Sequence, residues 1–334
     1  MANSVDNSSD FNFDDFLILE EEHTPATTHS WETPEINAAR EKDRKGRYID
    51  VIILVKTMPQ LSKKYRDTVC VAGLALKPLR WVRLYPVPFR YLDQSKQFKK
   101  YSIIRVKVHE SENDRRFESL KIDRSTISTI QELSTDDGWR ARAKYVEQIE
   151  EISLCALRRN LQEDINGPSL ALLRPRDGSI ELTLRKSDPE TEEQRNKREL
   201  ILQDQAEELE IFETKDREHL VKLAEPPRLS GKIHFYCHGE ESCPGHTLGF
   251  IDWEFAAAQH HHSDWTEEKL RDFLIEKFET IPSKPEKDLR LFLGNLADPR
   301  KRKNYQVLGL YYPEYTAASD ERNCLFSLSQ TFNH

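Results

Sequence analysis

The chain has none of the long apolar runs that are typical of membrane-spanning and secreted proteins. No segment reaches the roughly 18 consecutive apolar residues of a transmembrane helix. The first residues also lack the basic start and the apolar stretch of a secretory signal. The sequence therefore predicts a cytoplasmic protein that does not associate with a membrane.

Cysteine is scarce, and familiar catalytic motifs are missing. Five cysteines occur in 334 residues, and an odd number without a secretory signal argues against a disulfide framework. Cys70, Cys155 and Cys324 lie in apolar surroundings, which is typical of small buried side chains. The chain has no glycine-rich phosphate loop, no Walker motif, no recognisable Ser-His-Asp arrangement and no internal repeat.

Positive charge is missing from the first 39 residues, which contain nine acidic residues and no Lys or Arg. The net charge of −8 therefore resides in this segment, and the rest of the chain is close to neutral. The polar composition of residues 1–46 predicts a disordered acidic arm. Aromatic and aliphatic residues at 11–19 fit three interpretations: a solvated tail, a docking segment for a protein partner, or an acidic lid that competes with nucleic acid for a basic groove.

Residues 47–125 predict a β-rich, barrel-like domain. Runs of β-branched and aromatic residues, bounded by Gly and Pro, indicate strands at 48–56, 68–74, 80–86 and 101–108. In the last run Ile104, Val106 and Val108 alternate with Arg105 and Lys107, which predicts one core face and one basic face. Residues 111–135 are polar and predict a turn-rich loop.

Residues 77–107 interleave cations with aromatic rings. A nucleic-acid strand needs cations for its phosphates and rings for its bases, so this segment favours a binding surface. The alternative is that most rings are core and most charges only keep the protein soluble. Arg83 and Arg90 flank a proline-containing turn and are the expected anchors, and the further candidates are Lys99, Lys100, Arg105 and Lys107.

Several motifs resemble an uncharacterised family of bacterial proteins. They are Lys56–Pro59, Ser62–Tyr65, Thr68–Gly73, Trp81–Arg90, Cys243–His246 and Asp252–Glu254. The resemblance covers residues 48–312 and implies no named reaction. It implies a bacterial or phage setting, in which DNA modification or antiviral defence is the expected context.

The second half of the chain predicts charged helices followed by an α+β domain. Residues 126–225 form a helical connector, with a helix from Gly138 to Leu161 and a second, charged helix within 189–223. Between these helices, residues 169–175 and 180–184 are candidates for short strands around an Asp-Gly turn. Residues 226–313 form the α+β domain, and 314–334 a weakly ordered tail. The predicted fold class is α+β, in which charged helices join a barrel-like domain to a zinc-knuckle domain.

Residues 232–254 concentrate potential metal ligands. Cys237, Cys243 and His246 have the spacing Cys-x5-Cys-x2-His, and the Pro-Gly between the last two is suited to a tight turn. The fourth ligand is open among His238, which we place first, His234 and the triplet His260–His262. We predict a structural zinc site, and two free thiols are the alternative.

Asp252 and Glu254 are the candidates for catalysis. They lie two apart on a predicted strand, and such a pair binds Mg²⁺ in nucleases. A restriction-type nuclease also needs a lysine two residues beyond the second acid, and Ala256 stands there. The other interpretation is that these carboxylates hold the zinc knuckle or cap the next helix.

The leading hypothesis is a nucleic-acid-binding protein. The basic β surface would contact the strand, and a hairpin tip formed by Arg300, Lys301, Arg302 and Lys303 would assist. A metal-dependent, nuclease-like enzyme is one alternative. A non-catalytic interaction subunit that docks through the acidic arm is another, and the sequence leaves open whether the protein is an enzyme.

Overall fold

The structure is a computed structural model, and it describes residues 33–62, 66–112, 114–163, 167–211 and 223–315. The helices in this part are α1 (Pro34–Arg44), α2 (Asp136–Val146), α3 (Leu154–Glu163), α4 (Glu192–Ile211), α5 (Trp253–His261) and α6 (Glu267–Ile275). The strands are β1 (Arg47–Lys56), β2 (Gln60–Ser62), β3 (Arg66–Leu76), β4 (Leu79–Val87), β5 (Ser102–Glu110), β6 (Ser119–Glu132), β7 (Leu170–Leu173), β8 (Glu181–Lys186), β9 (Leu229–Phe235), β10 (His246–Phe250), β11 (Arg290–Asn295) and β12 (Tyr305–Tyr311). The predicted α+β class is confirmed.

The first sheet has the strand order β1-β5-β6-β4-β3-β2, and β1 also pairs with β3. A path along the paired strands from β1 through β5, β6, β4 and β3 therefore ends again at β1. The backbones of β1 and β3 come so close at Gly73 that a Cβ there would lie 2.1 Å from the carbonyl oxygen of Ile52. Only glycine fits such a close approach of two backbones. The closure of this sheet into a barrel stays a prediction.

Strand β1 is buried on both faces because it separates two hydrophobic clusters. Val51 and Ile53 point into the first cluster, which the β1–β6 sheet encloses. Ile52 and Leu54 point into a second cluster that also contains Phe292 and other residues of the second sheet. A continuous apolar run is what a strand with two buried faces requires. The two sheets therefore pack against each other through β1.

The second sheet has the order β7-β11-β12-β10-β9-β8. Its face away from the first sheet carries α3, α5 and α6, which contribute Leu157, Phe255 and Leu274 to a third hydrophobic cluster. Leu270 and Leu274 of α6 are fully buried, so this face of the helix packs against the sheet. Strands β7 and β8 lie within the predicted helical connector, at the two places that were candidates for short strands.

Three predictions of local structure need correction. Residues 34–44 of the predicted arm form α1, because Thr33 caps the helix and the buried Asp43 carboxylate pairs with Arg47 and Arg80. Residues 119–132 form β6 rather than a loop. The long helix predicted over 138–161 is instead α2 and α3, since the Ile152 N–H donates to Leu172 O of β7.

The helices of the described residues include none that is long and apolar enough to span a membrane.

Candidate metal centre

Three cysteines and one histidine meet beside the turn between β9 and β10. Cys237 follows β9, Cys243 lies in the turn, His246 begins β10, and Cys155 lies in the first turn of α3. Their potential ligand atoms all lie within 4.8 Å of one another. The His246 Nε2 atom is 3.2 Å from Cys155 Sγ and 3.4 Å from Cys243 Sγ. Ligand atoms of a tetrahedral zinc ion are about 3.6–3.8 Å apart, so the group fits such a site.

The turn has the backbone that this arrangement needs. Gly245 adopts φ of +82°, a left-handed conformation that glycine adopts without strain. A Cβ at Gly245 would also lie 3.0 Å from the His234 ring. The Cys243 N–H donates to Glu240 O, and this bond closes the loop that carries Cys243 back toward Cys237.

Glu240 fastens α3 to this turn. Its carboxylate accepts from the Ser153 hydroxyl at 2.7 Å and from the Arg159 guanidinium at 2.8 Å. Ser153 Oγ also accepts from the Ala156 N–H at 3.0 Å, so it caps the helix that carries Cys155. The contacts through Glu240 therefore bring Cys155 to the other three groups.

Each of the four groups has a pKa shifted from its usual value. Burial raises the pKa of Cys237 to about 12, and it also raises the pKa of Cys155. Burial opposes ionisation of Cys243 too, but N–H donors from Cys237 and Gly245 bring its pKa below the usual value. Burial, with the nearby Arg158 charge, lowers the pKa of His246 and keeps the ring neutral. A bound divalent cation would supply the charge that ionises the remaining thiols.

Cys237, Cys243 and His246 were predicted as ligands, and the structure brings them together. Cys155 was not predicted, and it stands where a fourth ligand was sought. The His238 side chain is exposed and lies outside the group. His234 bonds to Thr247 at 3.0 Å, and His262 stacks on Trp265. The four residues could therefore hold a metal ion, and the fourth of them is Cys155 rather than a further histidine.

Several cations predicted to bind nucleic acid are enclosed. Arg83 is 2% exposed, and its Nη2 atom donates to the Ser169 carbonyl and hydroxyl at 3.0 and 3.1 Å. Arg90 donates to the buried Asp67 carboxylate at 3.0 Å. The Lys100 side chain and Arg302 are each 5% exposed. As placed, Arg83 and Lys100 cannot meet a phosphate at the surface, because their donors serve buried partners.

The other predicted cations lie at or near the surface. Arg105 forms a two-pronged bond to Asp50 at 2.7 and 2.8 Å, and Lys99 pairs with Glu132 at 2.9 Å. Arg300 pairs with Asp298 at 2.9 Å. Lys107 and Lys301 are half-buried and Lys303 is exposed, while the predicted docking segment 11–19 lies outside the described residues.

One exposed aromatic ring was missed. Tyr48 of β1 is 56% exposed and lies opposite Lys107 in the β1–β5 ladder. It lines a groove of about 470 Å³ together with Arg47, Lys77 and Arg105. Its polar neighbours in sequence, Arg47 and Asp50, were the available signal that this end of the strand faces water.

Asp252 and Glu254 contact a lysine, Lys100, that is distant from them in the sequence. The Lys100 ammonium lies 3.0 Å from Asp252 Oδ2 and 3.3 Å from Glu254 Oε2. Asp252 also caps α5, since its Oδ1 accepts from the Glu254 N–H at 2.8 Å. Asp252 is buried, whereas half of the Glu254 side chain is exposed. The capping role that the sequence suggested for one of these carboxylates is therefore present.

This cluster has strongly shifted pKa values. Burial raises the pKa of Asp252 to about 6, although Lys100 opposes the shift. Burial disfavours the charged form of Lys100, but the two carboxylates raise its pKa above the usual value. Burial lowers the pKa of the neighbouring Lys56 to about 8. Shifts of this kind concentrate at functional sites, although buried ion pairs with a structural role show them too.

Two family models match the chain, each described as a domain of unknown function. The first, DUF8758, covers residues 47–148, and the second, DUF8757, covers residues 150–330. No curated protein matches the chain. The predicted resemblance to an uncharacterised family is thereby confirmed. Because the second model spans more than half of the 334 residues, the chain belongs to the family described as domain of unknown function DUF8757.

Proposed function

We propose that Cys155, Cys237, Cys243 and His246 hold one structural Zn²⁺. The observation that carries this proposal is the approach of all four ligand atoms to within 4.8 Å. Three thiolates and a neutral imidazole suit zinc, and a four-residue set leaves no open position for a substrate. Bound there, the ion would fix α3 to the β9–β10 turn.

Metal content tests this proposal. The purified protein should contain about one equivalent of zinc, and Cys243→Ser should lose it. Cys70→Ser is the matched control, because Cys70 is also a buried cysteine but lies outside the group. A wild-type protein without zinc after purification in zinc-containing medium would rule the proposal out.

We further propose that the zinc-stabilised protein binds a nucleic-acid strand along the groove beside Tyr48. The proposal is carried by the exposed Tyr48 ring, which lies opposite Lys107 in the β1–β5 ladder and lines the groove with Arg47, Lys77 and Arg105. Exposed rings stack on bases, and lysines contact phosphates. This face would belong to the wall of a small barrel, which the returning strand pairings favour.

Salt-dependent binding of a labelled single strand tests the second proposal. Tyr48→Ala should weaken binding, and Lys77→Ala should reduce the slope of log affinity against log salt by about one. Lys284→Ala is the control, since Lys284 is an exposed lysine that does not line the groove. Equal affinities for Tyr48→Ala, Lys77→Ala and the control would contradict this assignment of the groove.

A second candidate function is metal-dependent hydrolysis of a phosphodiester. It is favoured by the contact of Lys100 with both Asp252 and Glu254, because a nuclease needs a lysine beside its carboxylates. The two carboxylates would hold Mg²⁺, whose charge stabilises a phosphoryl group under attack by water. Lys100 would keep the carboxylates together.

Mn²⁺ binding and hydrolysis of a model phosphodiester test this candidate. Glu254→Gln should weaken both. Glu267→Gln is the matched control, since Glu267 also lies in the first turn of a helix and pairs with a cation, Arg271. If Glu254→Gln and Glu267→Gln bind Mn²⁺ alike, the candidate fails.

A further inference from the structure

Among the residues that the structure describes, the buried Arg302 has no ion-pair partner. It follows the 3₁₀ turn Pro299–Lys301 in the β11–β12 hairpin, and 5% of the residue is exposed. Its Nε atom is shut off from solvent and has no hydrogen-bond partner. Across the described ranges, no carboxylate oxygen lies within 4.0 Å of its guanidinium nitrogens. A buried charge is normally paired, so this one requires an explanation.

The carboxylates near Arg302 are already engaged. Asp114 accepts from Arg116 Nε at 2.8 Å and from the Ser119 hydroxyl at 2.7 Å. Glu118 accepts from the Ser169 N–H at 2.9 Å and from its hydroxyl at 2.7 Å. Both acids are nearly fully buried and have these partners on both oxygens. Neither is therefore free to turn toward Arg302.

Positive charge is in excess around Arg302. Burial lowers its pKa, and the charges of Arg116 and Arg83 lower it further, while Asp114 and Glu118 act in the opposite direction. The neighbourhood thus holds three guanidinium groups against two carboxylates. A buried charge is costly unless it is paired, so an ion of the opposite sign would stabilise this group.

A second orphaned side chain lies beside Arg116. Asn295 is 4% exposed, and within the described part of the chain neither its Oδ1 nor its Nδ2 atom has a partner in hydrogen-bond geometry. Its carbonyl oxygen accepts from Arg116 Nη1 at 2.6 Å, which places Asn295 against the same group of charges. The nearby Tyr305 hydroxyl donates to Pro168 O. Burial raises the pKa of Tyr305, and the Asn295 amide lies close enough to the Tyr305 oxygen to oppose this shift, while the second of its two N–H donors remains available for a ligand.

We propose that Arg302 anchors a phosphate-binding site, in which Asn295 offers an amide donor and Arg116 contributes charge. The planar fork of an arginine matches two oxygens of a phosphate group. Half-buried Lys301 and exposed Lys303 flank Arg302 and add charge at the rim. The phosphate group belongs either to a free phosphate or nucleotide, or to a strand backbone. The site stands independently of the Tyr48 groove.

Thermal unfolding with inorganic phosphate tests the site. At constant ionic strength, phosphate should raise the unfolding midpoint of the wild type, because a ligand that binds only the folded state stabilises it. Arg302→Met should abolish this response. It should also raise the midpoint without phosphate, since it removes an unpaired buried charge.

Two further variants keep the test decisive. Arg174→Met is the contrasting control: the Arg174 side chain is 10% exposed and paired with Glu151 and Asp288, so its loss should lower the midpoint and leave the phosphate response intact. Arg302→Lys keeps the charge but lacks the planar guanidinium fork, so its phosphate response should be reduced. This variant tests the site if Arg302→Met does not fold. A wild type that does not respond to tens of millimolar phosphate, or an Arg302→Met variant that responds fully, would overturn the proposal.

Competition separates the two sources of phosphate. If the site takes the strand backbone, free phosphate should weaken binding of a labelled strand to the wild type and not to Arg302→Met. If the site takes a small ligand, strand affinity should be the same in both proteins while the thermal response to phosphate persists. A protein that fails to bind any strand but responds to phosphate loses the proposed strand binding and keeps this site.

Discussion

The Lys100 ammonium lies 3.0 Å from the Asp252 carboxylate, although 152 positions separate the two residues in the chain. Lys100 precedes β5 of the first sheet, and Asp252 caps α5 beside the second sheet. Both side chains are at least 95% enclosed. The pair therefore joins the two sheets through a buried ionic contact, which is sensitive to the loss of one partner alone.

Lys100→Met should destabilise the protein by about 3–5 kcal/mol, because it leaves the Asp252 carboxylate buried without its partner. The double variant Lys100→Met with Asp252→Asn should recover part of this loss. Denaturant unfolding measures both values. Lys99→Met is the matched control, since the exposed pair of Lys99 and Glu132 contributes about 0–1 kcal/mol. Equal losses for Lys99→Met and Lys100→Met would show that burial of the pair has no consequence.

Cys155→Ser should lose zinc as completely as Cys237→Ser, whereas His238→Ala should retain it. The reason is that Cys155 lies in the group of four and the exposed His238 does not. Because thiols must lose their protons to bind metal, and burial raises the pKa of Cys155 and Cys237, zinc should also be released as the pH falls from about 8 to about 5. A zinc indicator reports both results. Zinc loss in His238→Ala would restore the ligand set expected from the sequence.

The local pattern of apolar and polar residues was enough to predict strands such as β1 and β5. The continuous apolar run of β1 and the alternation in β5 correspond to a strand with two buried faces and a strand with one. Strand β6 was missed because all of its exposed positions except Ile130 are polar, and only Leu120 and Ile127 among its 14 residues stand out as buried apolar side chains. Periodicity is a weak guide where most of a strand faces water.

The candidate sites depend on contacts between distant segments, and spacing cannot reveal these. Cys155 lies 91 positions from His246, on a helix whose apolar spacing explains it equally well as core. Arg83 was predicted as an anchor because it flanks a proline-containing turn in a basic segment, yet its partner Ser169 is 86 positions away. The close pair Cys243 and His246 was found because one tight turn brings its members together.

Arg83→Met should lower stability without weakening strand binding. Arg83 donates to Ser169, whose hydroxyl donates in turn to Glu118, so its loss leaves buried acceptors unpaired at a cost of about 1–3 kcal/mol. Lys107→Ala should do the reverse, since Lys107 lies opposite the exposed Tyr48. Denaturant unfolding and strand titration on both variants check the contrast. Weakened binding by folded Arg83→Met would return Arg83 to the binding surface.

Lys56 should make stability rise with pH in the alkaline range. Its ammonium is buried, donates to Phe98 O at 3.1 Å and faces the Phe89 ring at 4.2 Å, and burial lowers its pKa from 10.5 to about 8. Between these two values the unfolded state binds more protons than the folded state. The free energy of unfolding should therefore increase by about 2 kcal/mol from pH 8 to pH 10 through this group. Lys56→Met lacks this titrating group. From pH 8 to pH 10 the free energy of unfolding of the wild type should therefore increase relative to that of the variant. A constant difference between the two unfolding curves would show that Lys56 titrates normally.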